Sequence, residues 1–195
     1  MNKTNHSNIL IVGGGCAGIS VATRLHNLKS DLSISIIEPS DQSLYQAAWT
    51  LVGAGAYDKD KTIKPMTEVM PSYVNWIKDH AESFAPESNS VKTSNGEYSY
   101  DYLVVCPGLK INYAGIPGLQ ESIGKNNVCT NYSADMAVYT WECLKNLKGG
   151  TLLFTEPPMP IKCAGAPQKI AYLAADHLKQ KGLLNESNLE FLCAK

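Results

Sequence analysis

The first apolar signal along the chain is a short unbroken run, residues 9–12, which is the pattern of a strand buried on both faces. Glycines follow at 13, 14 and 15, and residues 17–28 then predict a helix with Ile19, Leu25 and Leu28 on one face. Residues 33–37 predict a second strand ending at Glu38-Pro39. A strand, a helix and a strand at this spacing imply a parallel pair joined by a right-handed crossover. Residues 42–57 read as a helix broken near its end by Gly53 and Gly55. Short strands are expected at 73–77, 90–93, 98–100 and 102–106, with Asn95-Gly96 as a hairpin turn.

Pro107-Gly108 closes this block, and Gly115-Ile116-Pro117-Gly118 has the composition of a linker. Ser133 is placed to cap a helix over 134–147, in which Val138, Trp141 and Leu144 recur at helical spacing. Residues 151–155 predict another buried strand, followed by a turn containing Pro157, Pro158 and Pro160. A helix is expected from 167 to 181, stopped by Gly182, and a last strand from 189 to 193. The fold class is therefore α/β. It is expected to comprise a Rossmann-like dinucleotide-binding domain over residues 1–112 and the opening of a second dinucleotide-binding-like domain over 113–195. The sequence stops inside a predicted core strand, which reads as a truncation.

Composition changes this picture little. A chain of 195 residues with 44% hydrophobic and 18% charged residues has ordinary globular proportions. A formal charge of −1 gives no basic field, so nucleic acid is not expected as a partner. No apolar run approaches the roughly 20 residues of a membrane span, and no secretory or mitochondrial leader is expected at the polar start. The six cysteines (16, 106, 129, 143, 163, 193) form no C-x-x-C pair, and the four histidines (6, 26, 80, 177) have no ligand spacing. No metal is expected. Cys16 is expected to pack in its loop, and Cys106, Cys143 and Cys193 in the core.

Candidate chemistry begins at Gly13-Gly14-Gly15-Cys16-Ala17-Gly18, which fits G-x-G-x-x-G. Alone the pattern is weak. Here it leaves a strand and opens a helix, and Glu38 ends the next strand, which is the setting a dinucleotide fingerprint requires. Gly13 allows the tight turn, Gly15 lets a pyrophosphate approach the backbone, and Gly18 lets helix and strand pack closely. The helix N-terminus offers N–H groups to the phosphates, and Glu38 can accept from ribose hydroxyls. The bland alternative, a glycine turn in a cofactor-free domain, is disfavoured by the joint context. NAD and FAD share this fingerprint.

Further motifs decide between them. These are Glu38-Pro39-Ser40, Tyr45-Gln46-Ala47-Ala48-Trp49 continuing to Gly55, Trp76-Ile77-Lys78, Asn131-Tyr132-Ser133, and Lys162-Cys163-Ala164-Gly165-Ala166-Pro167-Gln168-Lys169-Ile170. In order and content they resemble the sulfide:quinone oxidoreductases. The resemblance implies an FAD flavoprotein that oxidises hydrogen sulfide and passes two electrons to a membrane quinone. It places Gly13, Gly15, Cys16, Ala17, Gly18, Glu38, Gln46 and Ala81 at the cofactor. Gly108 stands in the family's second flavin-contact turn, which here reads Cys106-Pro107-Gly108. Ala47-Ala48 departs from a proline-containing pair of the family.

Residues 151–167 occupy the place where related reductases carry a second glycine-rich loop for NAD(P)H, and they contain no G-x-G-x-x-G. The backbone cradle for a second pyrophosphate is missing, which disfavours a nicotinamide donor. Cys163 lies just before a predicted helix, near Lys162 and Lys169, a setting that favours thiolate. The resemblance makes Cys163 half of a redox disulfide whose partner follows later in the family's sequences. It also makes Cys129 a candidate auxiliary redox cysteine, which only some branches carry. Other implied partners are a small sulfur acceptor and a membrane surface reached through later residues, with homo-oligomerisation left open. The implied location is peripheral, on the cytoplasmic face of a bacterial inner membrane or at the mitochondrial inner membrane. Rival readings are a type II NADH dehydrogenase, a flavocytochrome-type sulfide dehydrogenase and a non-catalytic FAD-binding module.

Overall fold

The opening apolar run forms β1 (His6–Val12), whose Ile9 to Val12 are all buried, and the glycine turn leads into α1 (Cys16–Leu28). Ile34–Ile37 forms β2, and all four of its residues are buried. This is a computed structural model, and it describes residues 5–194. After β3 (Gln42–Leu44) the chain makes a 3₁₀ turn at Gln46–Ala48 and the short α2 (Trp49–Gly53). It returns as β4 (Ile63–Pro65), α3 (Met66–Val69), β5 (Val74–Ile77), β6 (Ala81–Ala85), β7 (Ser90–Thr93) and β8 (Gly96–Val105). Then follow α4 (Leu119–Ser122), α5 (Ala134–Asn146), β9 (Gly150–Glu156), α6 (Gly165–Gln180) and β10 (Ser187–Cys193).

Two units result. The first holds the residues up to Leu44 together with Ile63–Lys110, and the second holds Tyr45–Thr62 together with Ile111 onward. The first is an α/β unit around a six-stranded sheet in the order β5-β2-β1-β8-β7-β6. β5, β2, β1 and β8 run parallel, while β7 and β6 form an antiparallel extension. Side chains alternate across the pleat, so each sheet face has its own core. Leu10, Val12, Ile37, Ile77, Val91 and Tyr100 form one, and Ile9, Ile11, Ile34, Ile36 and Ala22 form the other with Ile19 and Leu25. Leu28, expected on the buried face of α1, is 69% exposed at the helix end.

The second unit packs α2 and α5 through Trp49, Val52 and Ala137, and α5 and α6 through Leu144, Ile170 and Ala174. Helix α6 buries Pro167, Ile170, Ala174 and Leu178, the three-and-four spacing of one helical face. β9 and β10 pair in parallel. Leu152 and Phe154 of β9 pack beside the α5–α6 cluster, while Leu153 on the other face is 59% exposed. The expectation of a fully buried strand at 151–155 is therefore corrected, because only one face of β9 is covered.

Three other expectations change. Residues 42–57 do not make one helix, because Gln42 to Leu44 pair with Pro65 to Ile63 and a backbone partner outcompetes helical propensity. Residues 98–100 and 102–106 are not two strands. β8 runs unbroken through Asp101, whose carboxylate accepts a 2.7 Å hydrogen bond from Asn8 Nδ2. Ser133 precedes α5 with extended backbone, but its hydroxyl makes no capping bond.

Candidate functional site

The turn after β1 is built by contacts that exclude side chains. Gly13 has φ +105°, and a Cβ there would lie 2.2 Å from the Cys106 carbonyl oxygen. A Cβ on Gly18 would lie 1.9 Å from the Gly13 carbonyl oxygen. Gly14, given no role by the sequence pattern, is equally constrained, since its Cβ would fall 2.7 Å from Cβ of Glu38. Gly15 is the exception: nothing lies within 4 Å of its Cβ position. Beyond it, Cys16 and Ala17 are exposed, which corrects the expectation that Cys16 packs inside the loop.

The first helical bond of α1 runs from Ile19 N–H to the Gly15 carbonyl. The preceding N–H groups of Cys16, Ala17 and Gly18 therefore lack intrahelical partners, and no acidic residue stands in the first turn. Such a terminus suits an anion, and the open space before Gly15 leaves room for it.

Glu38 is fixed from four directions. Its N–H donates to the Ile77 carbonyl at 3.0 Å, and its own carbonyl accepts from the Trp76 indole at 2.8 Å. One carboxylate oxygen accepts from Gly14 N–H and the other from Ser40 N–H, both at 2.8 Å. Each oxygen retains a lone pair for a ribose hydroxyl. The arrangement thus fits the pyrophosphate and ribose that NAD and FAD have in common. Trp76 gains a positioning role that its motif alone did not reveal, although a half-buried indole N–H calls for such a partner.

The turn after β8 comes to the same place, because Cys106 N–H donates to the Val12 carbonyl. Gly108 follows, exposed and at φ +81°. Ala81 begins β6, half-buried, with its backbone opposite Thr93. Gln46 lies in the second unit, in the 3₁₀ turn before α2.

Cys163 is also in the second unit. It is exposed, lies just before α6, and adopts the left-handed conformation at φ +59°. A non-glycine residue held there stores strain of about 1–2 kcal/mol. Its carbonyl is held twice, by Ala166 N–H at 3.0 Å and by the Tyr132 hydroxyl at 3.3 Å. The Lys162 ammonium stands 5.9 Å from the Tyr132 ring centre. Burial, then the neighbouring Cys163, Glu156 and Tyr113 side chains, raises the Tyr132 phenol above its ordinary value, so it remains a hydrogen-bond donor. Strain and clamp thus fix the backbone at Cys163, while the residue itself stays open to solvent.

Cys129 has a different environment. It is half-buried, and burial, followed by the neighbouring Cys143 thiol, pushes it up to about 12. Cys193, expected in the core, is exposed, and Cys106 and Cys143 are half-buried.

Comparison with known proteins bears on this architecture. The chain is 43% identical over 190 residues to the mitochondrial sulfide:quinone oxidoreductase of Dictyostelium discoideum, covering 96% of this chain and 42% of that protein. It is 39% identical to the mitochondrial enzyme of Mus musculus, again covering 96% and 42%. The crystal structure of the Aquifex aeolicus sulfide:quinone oxidoreductase superposes with a TM-score of 0.78 at 26% identity, over 96% of this chain and 43% of that one. The chain thus spans under half the length of these relatives. The family model for pyridine nucleotide-disulphide oxidoreductases matches residues 7–138, which include β1 from Ser7 onward, the glycine turn, Glu38 and the other five strands of the six-stranded sheet. With the strand–turn–helix at Gly13 to Gly18 and the clamped carboxylate of Glu38, that match means that the chain belongs to the pyridine nucleotide-disulphide oxidoreductase family.

Proposed function

We propose that the protein carrying these residues is an FAD-dependent sulfide:quinone oxidoreductase. The observation that supports this best is Cys163, exposed and strained before α6 in a stretch that has no second glycine loop. The N–H groups of Cys16, Ala17 and Gly18 would hold the pyrophosphate and Glu38 the ribose, with Gly13 and Gly15 shaping the turn. Gln46, Ala81 and Gly108 are the further cofactor contacts of this reading. Bound there, FAD would accept an electron pair and pass it to a quinone.

Cys163 begins the cycle in a disulfide with a cysteine later in the protein. Hydrosulfide attacks one sulfur of that bond, so one cysteine becomes a persulfide and the other leaves as a thiolate carrying the electron pair. Tyr132 holds the Cys163 carbonyl and so orients its sulfur. The persulfide sulfur leaves to a small acceptor. Residues 113–195 are read as the opening of a second dinucleotide-binding-like domain in which Cys163 stands in place of a phosphate loop. In the auxiliary role Cys129 would act as a protonated thiol. Among the described residues no helix is long and apolar enough to cross a membrane. Likeness to the sulfide:quinone oxidoreductases supports a peripheral place on a quinone-bearing membrane, the cytoplasmic face of a bacterial one or the mitochondrial inner membrane.

The test is anaerobic rapid mixing of the intact protein with sulfide or NADH while flavin absorbance is followed. Sulfide should bleach the flavin and NADH should not. Cys163→Ser should keep FAD and lose bleaching by sulfide, because serine fits the space but forms neither disulfide nor persulfide. Rapid bleaching by NADH alone, or near-normal sulfide turnover by Cys163→Ser, rejects the reading.

A further inference from the structure

Cys129 and Cys143 meet at one corner of the second unit, where the segment before α5 lies along that helix. The turn leading into the segment is left-handed at two consecutive residues, Asn126 (φ +50°) and Asn127 (φ +63°). Asn127 N–H donates to the Tyr139 hydroxyl oxygen at 3.2 Å, and Thr140 Oγ1 stands 3.5 Å from the Thr130 carbonyl. Tyr139 and Thr140 thus fasten the chain on either side of Cys129. Cys143 lies four residues after Tyr139 and so shares its helix face. The Cys129 sulfur is 3.4 Å from the Asn127 carbonyl, and the Cys143 thiol is a neighbour of both Cys129 and Tyr139. Neither sulfur is sealed in the core, since both residues are half-buried.

We propose that Cys129 and Cys143 close reversibly into a disulfide, forming a redox site in which Cys163 takes no part. The oxidant is a small disulfide of the glutathione class. One sulfur of the pair attacks it as thiolate, giving a mixed disulfide and releasing one small thiol. The second sulfur then loses its proton and displaces the other small thiol. Two protein thiols are oxidised, one external disulfide is reduced to two thiols, and the electron pair leaves with them. Two thiols this close give up their protons one after the other, so the second holds its own until the first has reacted. The high proton affinity of Cys129 is consistent with that order. The bonds from Asn127 to Tyr139 and from Thr140 to Thr130 pin the segment carrying Cys129 to the helix that carries Cys143, which brings the two residues to one face before the bond closes.

The experiment equilibrates the intact protein with oxidised and reduced glutathione at graded ratios, traps free thiols by alkylation, and maps the peptides by mass. The expected product links the Cys129 and Cys143 peptides, is lighter by two hydrogens than the dithiol, and reopens with dithiothreitol. Cys143→Ala should abolish the link and leave Cys129 alkylated or carrying glutathione, whereas Cys193→Ala should leave it intact. The first measurement uses the unmutated protein, so it stands whether or not a variant folds. Recovery of Cys129 as an alkylated thiol or a glutathione adduct at the most oxidising ratio overturns the proposal, as does a link from Cys129 to Cys163. Neither result depends on sulfide as the substrate.

Discussion

Gly14, Gly15 and Gly18 stand within one turn of chain, yet a methyl group meets something different at each. At Gly18 it meets backbone, the Gly13 carbonyl, which has nowhere to go. Gly18→Ala should therefore cost about 1–3 kcal/mol of stability through overpacking. At Gly14 it meets Cβ and Cγ of Glu38, so Gly14→Ala should displace the carboxylate that Gly14 N–H now holds. At Gly15 it meets nothing in the protein. Gly15→Ala should keep the thermal midpoint of the apoprotein while weakening FAD binding about tenfold or more, roughly 1.4 kcal/mol or above. Thermal melts of the apoproteins beside flavin titrations would separate the three. Equal loss of stability at Gly15 and Gly18 would count against an open phosphate position.

At the scale of the element, the β7–β8 hairpin is tied to β5 through Asp79. Its carboxylate is held at about 2, first by the neighbouring Thr93 hydroxyl, then by the N–H groups of His80 and Asn95 and the Asn95 amide, against the upward push of burial. The folded value lies below the ordinary 3.8. The stabilisation is therefore complete above about pH 4 and is lost as pH falls towards about 2, because the unfolded chain takes up the proton first. Amide-exchange protection around Asn95 and Gly96 should fall across that window, after correction for the intrinsic pH dependence of exchange. Asp79→Asn should lower the protection at neutral pH and flatten its acid dependence. An unchanged acid profile in Asp79→Asn would remove Asp79 as the cause.

At the scale of the whole molecule, residues 45–62 leave the first unit between β3 and β4 and supply α2 to the second. There Gly55, at φ +71°, lies against Trp141, and a Cβ on it would come within 2.5 Å of the indole ring. Trp141 in turn meets His177 edge-on at 4.9 Å, joining α5 to α6. Gly55→Ala combines a strained backbone with a clash against a large ring, so it should destabilise the second unit by about 1–3 kcal/mol. Hydrogen exchange should register the loss in α5 and α6 and leave the β1–β2–β8 core protected. Uniform loss over both units would mean that they unfold as one.

Much of the first unit was legible in order along the chain. The run at 9–12, the glycine turn, the α1 pattern and Glu38 are local signals, and their period and spacing dictate a strand–turn–helix–strand whatever else surrounds it. The place of Cys163 before α6 was legible through the Pro167 and Gly182 punctuation. Contacts between distant residues decided the rest. Gln42 to Leu44 became a strand because β4 offered a partner, and β8 ran on past Asp101 because β1 pairs with it on both sides of that residue. The role of Gly14, the clamp on Glu38 and the hold of Tyr132 on Cys163 each join residues 24 to 38 positions apart. No short sequence window contains both members of such a pair. Hydrophobic period dictates elements such as β1, α1 and β2, whereas the choice of strand at 42–44 and the hydrogen bonds that hold Glu38 and the Cys163 carbonyl exist only once the chain has folded.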